Sequence, residues 1–315
     1  MKNIYSHRIE SLEGEILFGG VDTAKYTGDL ISVNVYPTSR SGKITSFTVA
    51  FTSLSAHSSS GSDQLTPPDY ATAAILDSGT TITLLPDDLA EIVFQELGAV
   101  MSSQLGAVVV PCDLANNNGT LDYGFGGAGG PVIKVAVSDL ILPLVLNSGR
   151  RPTFTDGTEA CQLGIQPAGD LPVLFGDTFL RSAYAVYDLY NNRIALAQTD
   201  FNSTDSNVVA FESEGAQIPS ATIASNEYQI TQTASANPRV EVSTMVTGDA
   251  TQATYNPTAT GLNAASGFGV SGISSSTSTK NASGCGPEPF MWSRVVVAAI
   301  AVIGMGMGGG LFAIL

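Results

Sequence analysis

The residues with the clearest chemical potential lie in one run, Ala74-Ile75-Leu76-Asp77-Ser78-Gly79-Thr80-Thr81-Ile82-Thr83-Leu84-Leu85-Pro86. An apolar strand there delivers a carboxylate into a turn expected to be buried. Glycine lets the backbone pass close beneath the acid, and neighbouring hydroxyls can hydrogen-bond it. The chemistry on offer is therefore that of a braced carboxyl group. The bare pattern Asp-Ser/Thr-Gly is weak, since average residue usage yields roughly 0.1 to 0.2 chance occurrences in a chain of this size. The flanks separate it from an ordinary β-turn, which needs neither a full apolar strand before the aspartate nor Thr-x-Thr-Leu-Leu-Pro after it.

The elements that must position Asp77 read as predominantly β over residues 1–200. Ile16-Leu17-Phe18, Leu30 to Tyr36, Phe47 to Phe51, Val132 to Val137 and Ala183 to Tyr187 are short apolar or alternating runs punctuated by Gly, Pro, Asn and Asp. One helix is expected between Pro86 and Leu97. Proline opens it, Asp87 and Asp88 suit its positive N-terminal end, Leu89, Ile92, Val93 and Leu97 share a face, and Gly98 stops it. From Phe201 the periodicity fades into Ser, Thr, Ala and Gln. Residues 201–284 are thus expected to be a disordered stalk, O-glycosylated or simply a linker. Residues 285–315 end in Val295 to Leu315, an uncharged stretch long enough to span a bilayer.

Composition limits the partners. A formal net charge of -15 and charged residues at 13% disfavour nucleic acid. Cys112, Cys161 and Cys285 form no Cys-x-x-Cys pair, and His7 and His57 lie near neither group of candidate ligands, so neither a metal centre nor a cofactor is expected. Asn118, Asn202 and Asn281 each begin an N-glycosylation triplet. With the stalk and the apolar tail they favour the secretory pathway, where cysteines oxidise.

Four segments, in order, give the chain its resemblance to the pepsin-like aspartic proteases, in particular the fungal surface-anchored yapsin type. They are Glu13 to Tyr26, Asp77-Ser78-Gly79-Thr80, the Cys112 and Cys161 pair, and Leu174 to Tyr184. The resemblance implies the C-terminal lobe of a bilobal fold over residues 1–200, and an endopeptidase acting on peptides and proteins. It implies that Asp77 is one of two carboxylates that share a proton and activate a water, as aspartic proteases exemplify. Ser78 would brace one catalytic loop against the other, Gly79 would permit the tight turn, Thr80 would support the outer carboxylate oxygen, and Thr81 would border the substrate cleft. Cys112 and Cys161 would be disulfide-bonded.

The chain departs from that pattern in having no second Asp-Thr/Ser-Gly, because Asp22-Thr23-Ala24 and Asp177-Thr178-Phe179 both lack the glycine. The sequence is therefore expected to be a truncated form that lacks an N-terminal lobe and is inactive alone. Two alternatives stand beside this: an inactive, protease-derived surface glycoprotein, and a lobe that dimerises to build a symmetric site. For the tail, a GPI-attachment signal is expected in preference to a membrane span, with Asn281, Ala282, Ser283 and Gly284 as candidate attachment residues.

Overall fold

The structure is a computed structural model that describes residues 4–9, 14–37, 42–102, 105–146, 149–154, 156–230 and 263–269. Its architecture is mainly β. The spine is the strand Thr48–Ser58, which pairs antiparallel with Thr72–Leu76 on one side and Thr120–Phe125 on the other. Val49 and Phe51 face the core, and an irregularity opposite Gly124 and Phe125 leaves Thr52 as the extra residue of a bulge. That bulge re-phases the strand, so Leu54 and Ala56 face the same core as Phe51. Thr52 itself is buried and donates its hydroxyl to the carbonyl of Gly124.

Beyond Thr72–Leu76 the same eight-stranded sheet changes direction. Val173–Phe175 runs parallel to Thr72–Leu76, and Thr83–Leu85 lies antiparallel to Val173–Phe175. Ile165–Pro167 then closes the sheet parallel to Thr83–Leu85. Parallel neighbours are buried on both faces. Here that requirement places the strand ending at Leu76 over an aromatic cluster of Phe51, Tyr123, Phe125, Phe175 and Phe179, all fully buried.

A second, six-stranded sheet runs Gly14–Phe18, Ile4–Ile9, Ala183–Asp188, Arg193–Thr199, Tyr26–Asn34 and Ala221–Ile223. Val33, Ala185, Ile194 and Leu196 carry the shared core into it. The expected helix occupies Asp87–Leu97. Asp88 accepts the amide of Leu89, and Gly98 ends the helix in the left-handed region at φ 63°. Its buried face holds Leu89, Ile92, Val93 and Leu97, together with Glu96, which shares their spacing although its charge type would have assigned it to solvent.

Residues 201–230 correct the expected start of the stalk. Val208–Ala210 pairs with Gly20–Asp22, Ala221–Ile223 extends the six-stranded sheet, and Phe211, Ile218 and Ile230 are buried. Polar contacts fasten the segment as well as apolar ones. Arg193 donates to Glu227 at 2.7 Å, to Asn34 Oδ1 at 2.6 Å and to Ser32 Oγ at 2.6 Å, and Glu227 also accepts the amide of Asn34. Asp22 accepts from Ser206 Oγ, Asn207 N and Ala24 N; burial works to raise its pKa, but these bonds outweigh it and hold it below the usual carboxylate value.

Removing Glu227 would leave a largely buried guanidinium uncompensated. Glu227→Ala is therefore expected to cost about 3 kcal/mol. Urea unfolding checks this; a loss below about 0.5 kcal/mol would mean that the pair behaves like an exposed one.

Candidate active site

Asp77 sits where the strand Thr72–Leu76 runs out. Its amide donates to the carbonyl of Phe175 at 3.0 Å, so the last rung of the parallel pair fixes the backbone of the acid. Each side-chain oxygen has its own donor: Gly79 N donates to Oδ1 at 3.0 Å and Thr80 Oγ1 donates to Oδ2 at 2.7 Å. Hydrogen bonds of this kind hold a carboxylate in one rotamer. Gly79 could not carry a Cβ freely, because one built there would lie 3.2 Å from Asp77 Oδ1.

The loop is supported from below by the residues that follow Val173–Phe175. Asp177 N donates to the carbonyl of Thr80 at 2.8 Å, and Thr178 N to that of Thr81 at 3.0 Å. The approach is close enough to exclude a side chain at Gly176, whose Cβ would fall 2.1 Å from the Thr80 carbonyl oxygen. The short helix Asp177–Leu180 then turns back into the core through Phe179 and Leu180. Leu174 to Tyr184, one of the segments that carry the resemblance, thus support the Asp77 loop from beneath.

The turn was expected to be buried; it is not. Asp77 and Thr80 are partly exposed, while Ser78, Gly79 and Thr81 are exposed. The surface above the carboxylate is open, so the described residues brace the acid from beneath and leave its outer side to whatever approaches.

A group that sequence reasoning passed over stands next to this site. Burial pushes the carboxyl of Asp177 up, the guanidinium of Arg181 opposes this, and the nearby charge of Asp77 pushes it further up. Arg181 acts likewise on Asp139, which burial raises. Asp177 was set aside because Asp177-Thr178-Phe179 lacks the glycine of a catalytic turn. The usable signal was Gly176 before it, a glycine ending an apolar strand.

Other chemistries fit poorly. Ser55 Oγ lies 3.2 Å and Asp122 Oδ2 3.5 Å from His57, but both approach the same nitrogen, Nε2. A serine-histidine-aspartate relay needs opposite nitrogens of the ring.

Cys112 and Cys161 form a disulfide with Cα atoms 4.9 Å apart, joining the turn Cys112–Asn116 to the strand Ala160–Leu163. Asn118 and Asn202 are exposed. Asn281, Ala282, Ser283, Gly284 and the tail Val295 to Leu315 lie outside the described residues. Among the described residues no helix is long and apolar enough to cross a membrane.

Asp77 is thus a carboxylate braced by a glycine amide and a threonine hydroxyl, at the end of a strand over an aromatic core. The profile of the family described as "Eukaryotic aspartyl protease" matches residues 1–199, and the chain belongs to that family. "Probable aspartic-type endopeptidase OPSB" of Arthroderma benhamiae is 38% identical over 247 residues, covering 78% of this chain and 49% of the relative. Its namesake in Aspergillus oryzae is 40% identical over 228 residues, covering 71% and 45%. "Secreted aspartic protease 9" of Candida albicans is 34% identical over 207 residues, covering 65% and 35%. The chain spans about half, or less, of the length of these curated relatives.

Proposed function

We propose that this chain contributes one lobe and one catalytic carboxylate, Asp77, to an aspartic endopeptidase that hydrolyses peptide bonds through an activated water. The observation that carries the reading is the pair of donors, Gly79 N and Thr80 Oγ1, that fixes both oxygens of Asp77 under an open surface. In this reading a second carboxylate comes from an N-terminal lobe outside the given sequence. One acid would hold the shared proton while the other accepts a proton from water; the first then protonates the leaving nitrogen. Ser78 braces the opposing loop and Thr81 borders bound peptide, which their exposure allows. Comparing hydrolysis by a two-lobed form with and without Asp77→Asn tests the proposal. An inactive two-lobed form would favour a protease-derived surface glycoprotein.

The similarity to a secreted relative supports a route through the secretory pathway. N-glycosylation at Asn118, Asn202 and Asn281, a Ser/Thr-rich stalk beyond Ile230 and a yapsin-like surface anchor complete the proposal. Small residues from Asn281 to Gly284 precede a spacer and an apolar tail, the order that GPI attachment requires. Phosphatidylinositol-specific phospholipase is then expected to release the protein from cells. Retention on the membrane, with the intact tail detected by mass spectrometry, would assign Val295 to Leu315 to a membrane span.

A further inference from the structure

Residues 263–269, described separately from the stretch that ends at Ile230, pack against the strands around Ser58 and Asp63. In a tract of small and polar residues this short stretch is buried out of proportion to its composition: Ala264 is 0% exposed, Ala265 3% and Phe268 6%. Its seat is polar as well as apolar. Asp63 accepts from Asn263 Nδ2 at 2.8 Å and from Ala264 N at 2.6 Å. Ser58 Oγ donates to the carbonyl of Ala264 at 2.7 Å, Ser60 Oγ accepts from Gly267 N at 2.9 Å, and Asn117 Nδ2 donates to the carbonyl of Gly267 at 2.8 Å.

Two glycines make the fit possible. A Cβ on Gly119 would meet the Phe268 ring at 2.3 Å, and one on Gly267 would meet Ser58 Oγ at 2.2 Å. The seat is thus shaped for these residues rather than for any apolar strand of chain.

Its location follows from the register of one strand. Leu76, the residue before Asp77, donates to Phe47 at the start of Thr48–Ser58, whereas Ser58, at the far end of the strand, holds Ala264. Ten residues of strand separate these ends, roughly 30 Å. We propose that residues 263–269 form an internal clip, bound in a dedicated groove at the pole opposite Asp77, and that the clip is closed in acid and open near neutrality.

The acid dependence rests on the geometry beneath the clip. Glu96 is fully buried on the helix Asp87–Leu97, which packs against the turn Ala265–Phe268. No amide, hydroxyl or basic group among the described residues donates to either of its carboxyl oxygens, and the group beside it is the carboxyl of Asp63, which also holds Asn263 and Ala264. Burial first, and Asp63 second, push Glu96 up to about 7. No charged residue lies on Thr83–Leu85, on Ile165–Pro167 or on the clip to offset a charge there. Asp87, Asp88 and Glu91 on its own helix are exposed, Asp113 borders the groove, and His57 is turned towards Asp122.

With a folded value above the ordinary one of 4.5, Glu96 contributes stability that is complete below about 4.5 and is lost as pH rises through about 7. Above that point a charge is held on the buried Glu96 beside the partly exposed Asp63, and opening the clip admits water to it. If the tail is anchored as proposed above, a closed clip makes the tether start behind the lobe and turns Asp77 outward. The clip itself depends neither on that anchor nor on activity.

Hydrogen exchange of the whole chain, corrected for intrinsic rates, tests this at pH 5 and pH 8. Peptides covering residues 263–269 are expected to exchange at least about tenfold more slowly than unstructured chain at pH 5, and at the unstructured rate at pH 8. Asp63→Ala and Phe268→Ala should each remove the protection at pH 5 while leaving that of Thr48–Ser58 and Ala183–Asp188 intact. Glu96→Gln, neutral at every pH, should keep the clip protected at pH 8. Unprotected residues 263–269 at pH 5 would overturn the clip. Equal protection at both pH values in the parent chain, or loss at pH 8 in Glu96→Gln, would overturn its acid dependence.

Discussion

Asp77→Asn is expected to lower kcat by about 10³-fold in a two-lobed form of the protein assayed near pH 4, with KM little changed, because a general acid–base group is lost while peptide contacts remain. The form to assay joins this chain to the complementary half of a fungal relative. Thr80→Ala should reduce kcat by roughly 10- to 100-fold, the value of one hydrogen bond to a charged acceptor. Thr80 Oγ1 is the sole side-chain donor to Asp77 Oδ2 among the described contacts. The chain as given, alone, should show no such activity. One carboxylate cannot both hold the shared proton and accept a proton from water. Comparable hydrolysis by the single chain, abolished by Asp77→Asn, would instead establish a site built by two copies of this lobe.

The second large effect is on stability. Phe175 is fully buried, with ring centroids 4.7 Å from Phe179, 5.1 Å from Phe51, 5.4 Å from Phe125 and 5.5 Å from Tyr123. Its backbone carbonyl holds the amide of Asp77. Phe175→Ala is expected to cost about 3 to 5 kcal/mol, since four packed rings cannot collapse fully into the space left behind. Urea denaturation should show a lowered midpoint with an unchanged slope, and Phe175→Leu should recover more than half of the loss. A cost below about 1 kcal/mol would mean that the cluster repacks and that the catalytic loop does not depend on it.

The two predictions meet at one rung of the sheet. Asp77 is placed by a parallel strand pair, and parallel pairs draw their partners from distant parts of a chain. Nearly a hundred residues separate Asp77 from Phe175. A run such as Leu174-Phe175-Gly176 therefore reads locally as a short apolar strand, and its purpose is visible only once it is paired.

What the sequence determined by itself was the local chemistry. Asp77-Ser78-Gly79-Thr80 pointed to a carboxylate with hydroxyls close enough in sequence to bond it, and Thr80 Oγ1 does so, whereas the Gly79 amide as a second donor emerged only in the structure. The helix Asp87–Leu97 was legible from its end to Gly98, because periodicity, an acidic first turn and a terminal glycine act within one segment. Tertiary structure alone decided the rest. Residues 201–230 look like linker in sequence, since Phe211, Ile218 and Ile230 are isolated apolar residues without period. They become structure only because Asp22, Ser32, Asn34 and Arg193, folded earlier in the chain, present charge and edge strands to receive them. Glu96 was hidden by the opposite error. Its charge reads as a solvated acid although its spacing from Leu89, Ile92 and Val93 puts it on the buried face, and only the tertiary structure shows that this face packs against Thr83–Leu85, Ile165–Pro167 and the turn Ala265–Phe268.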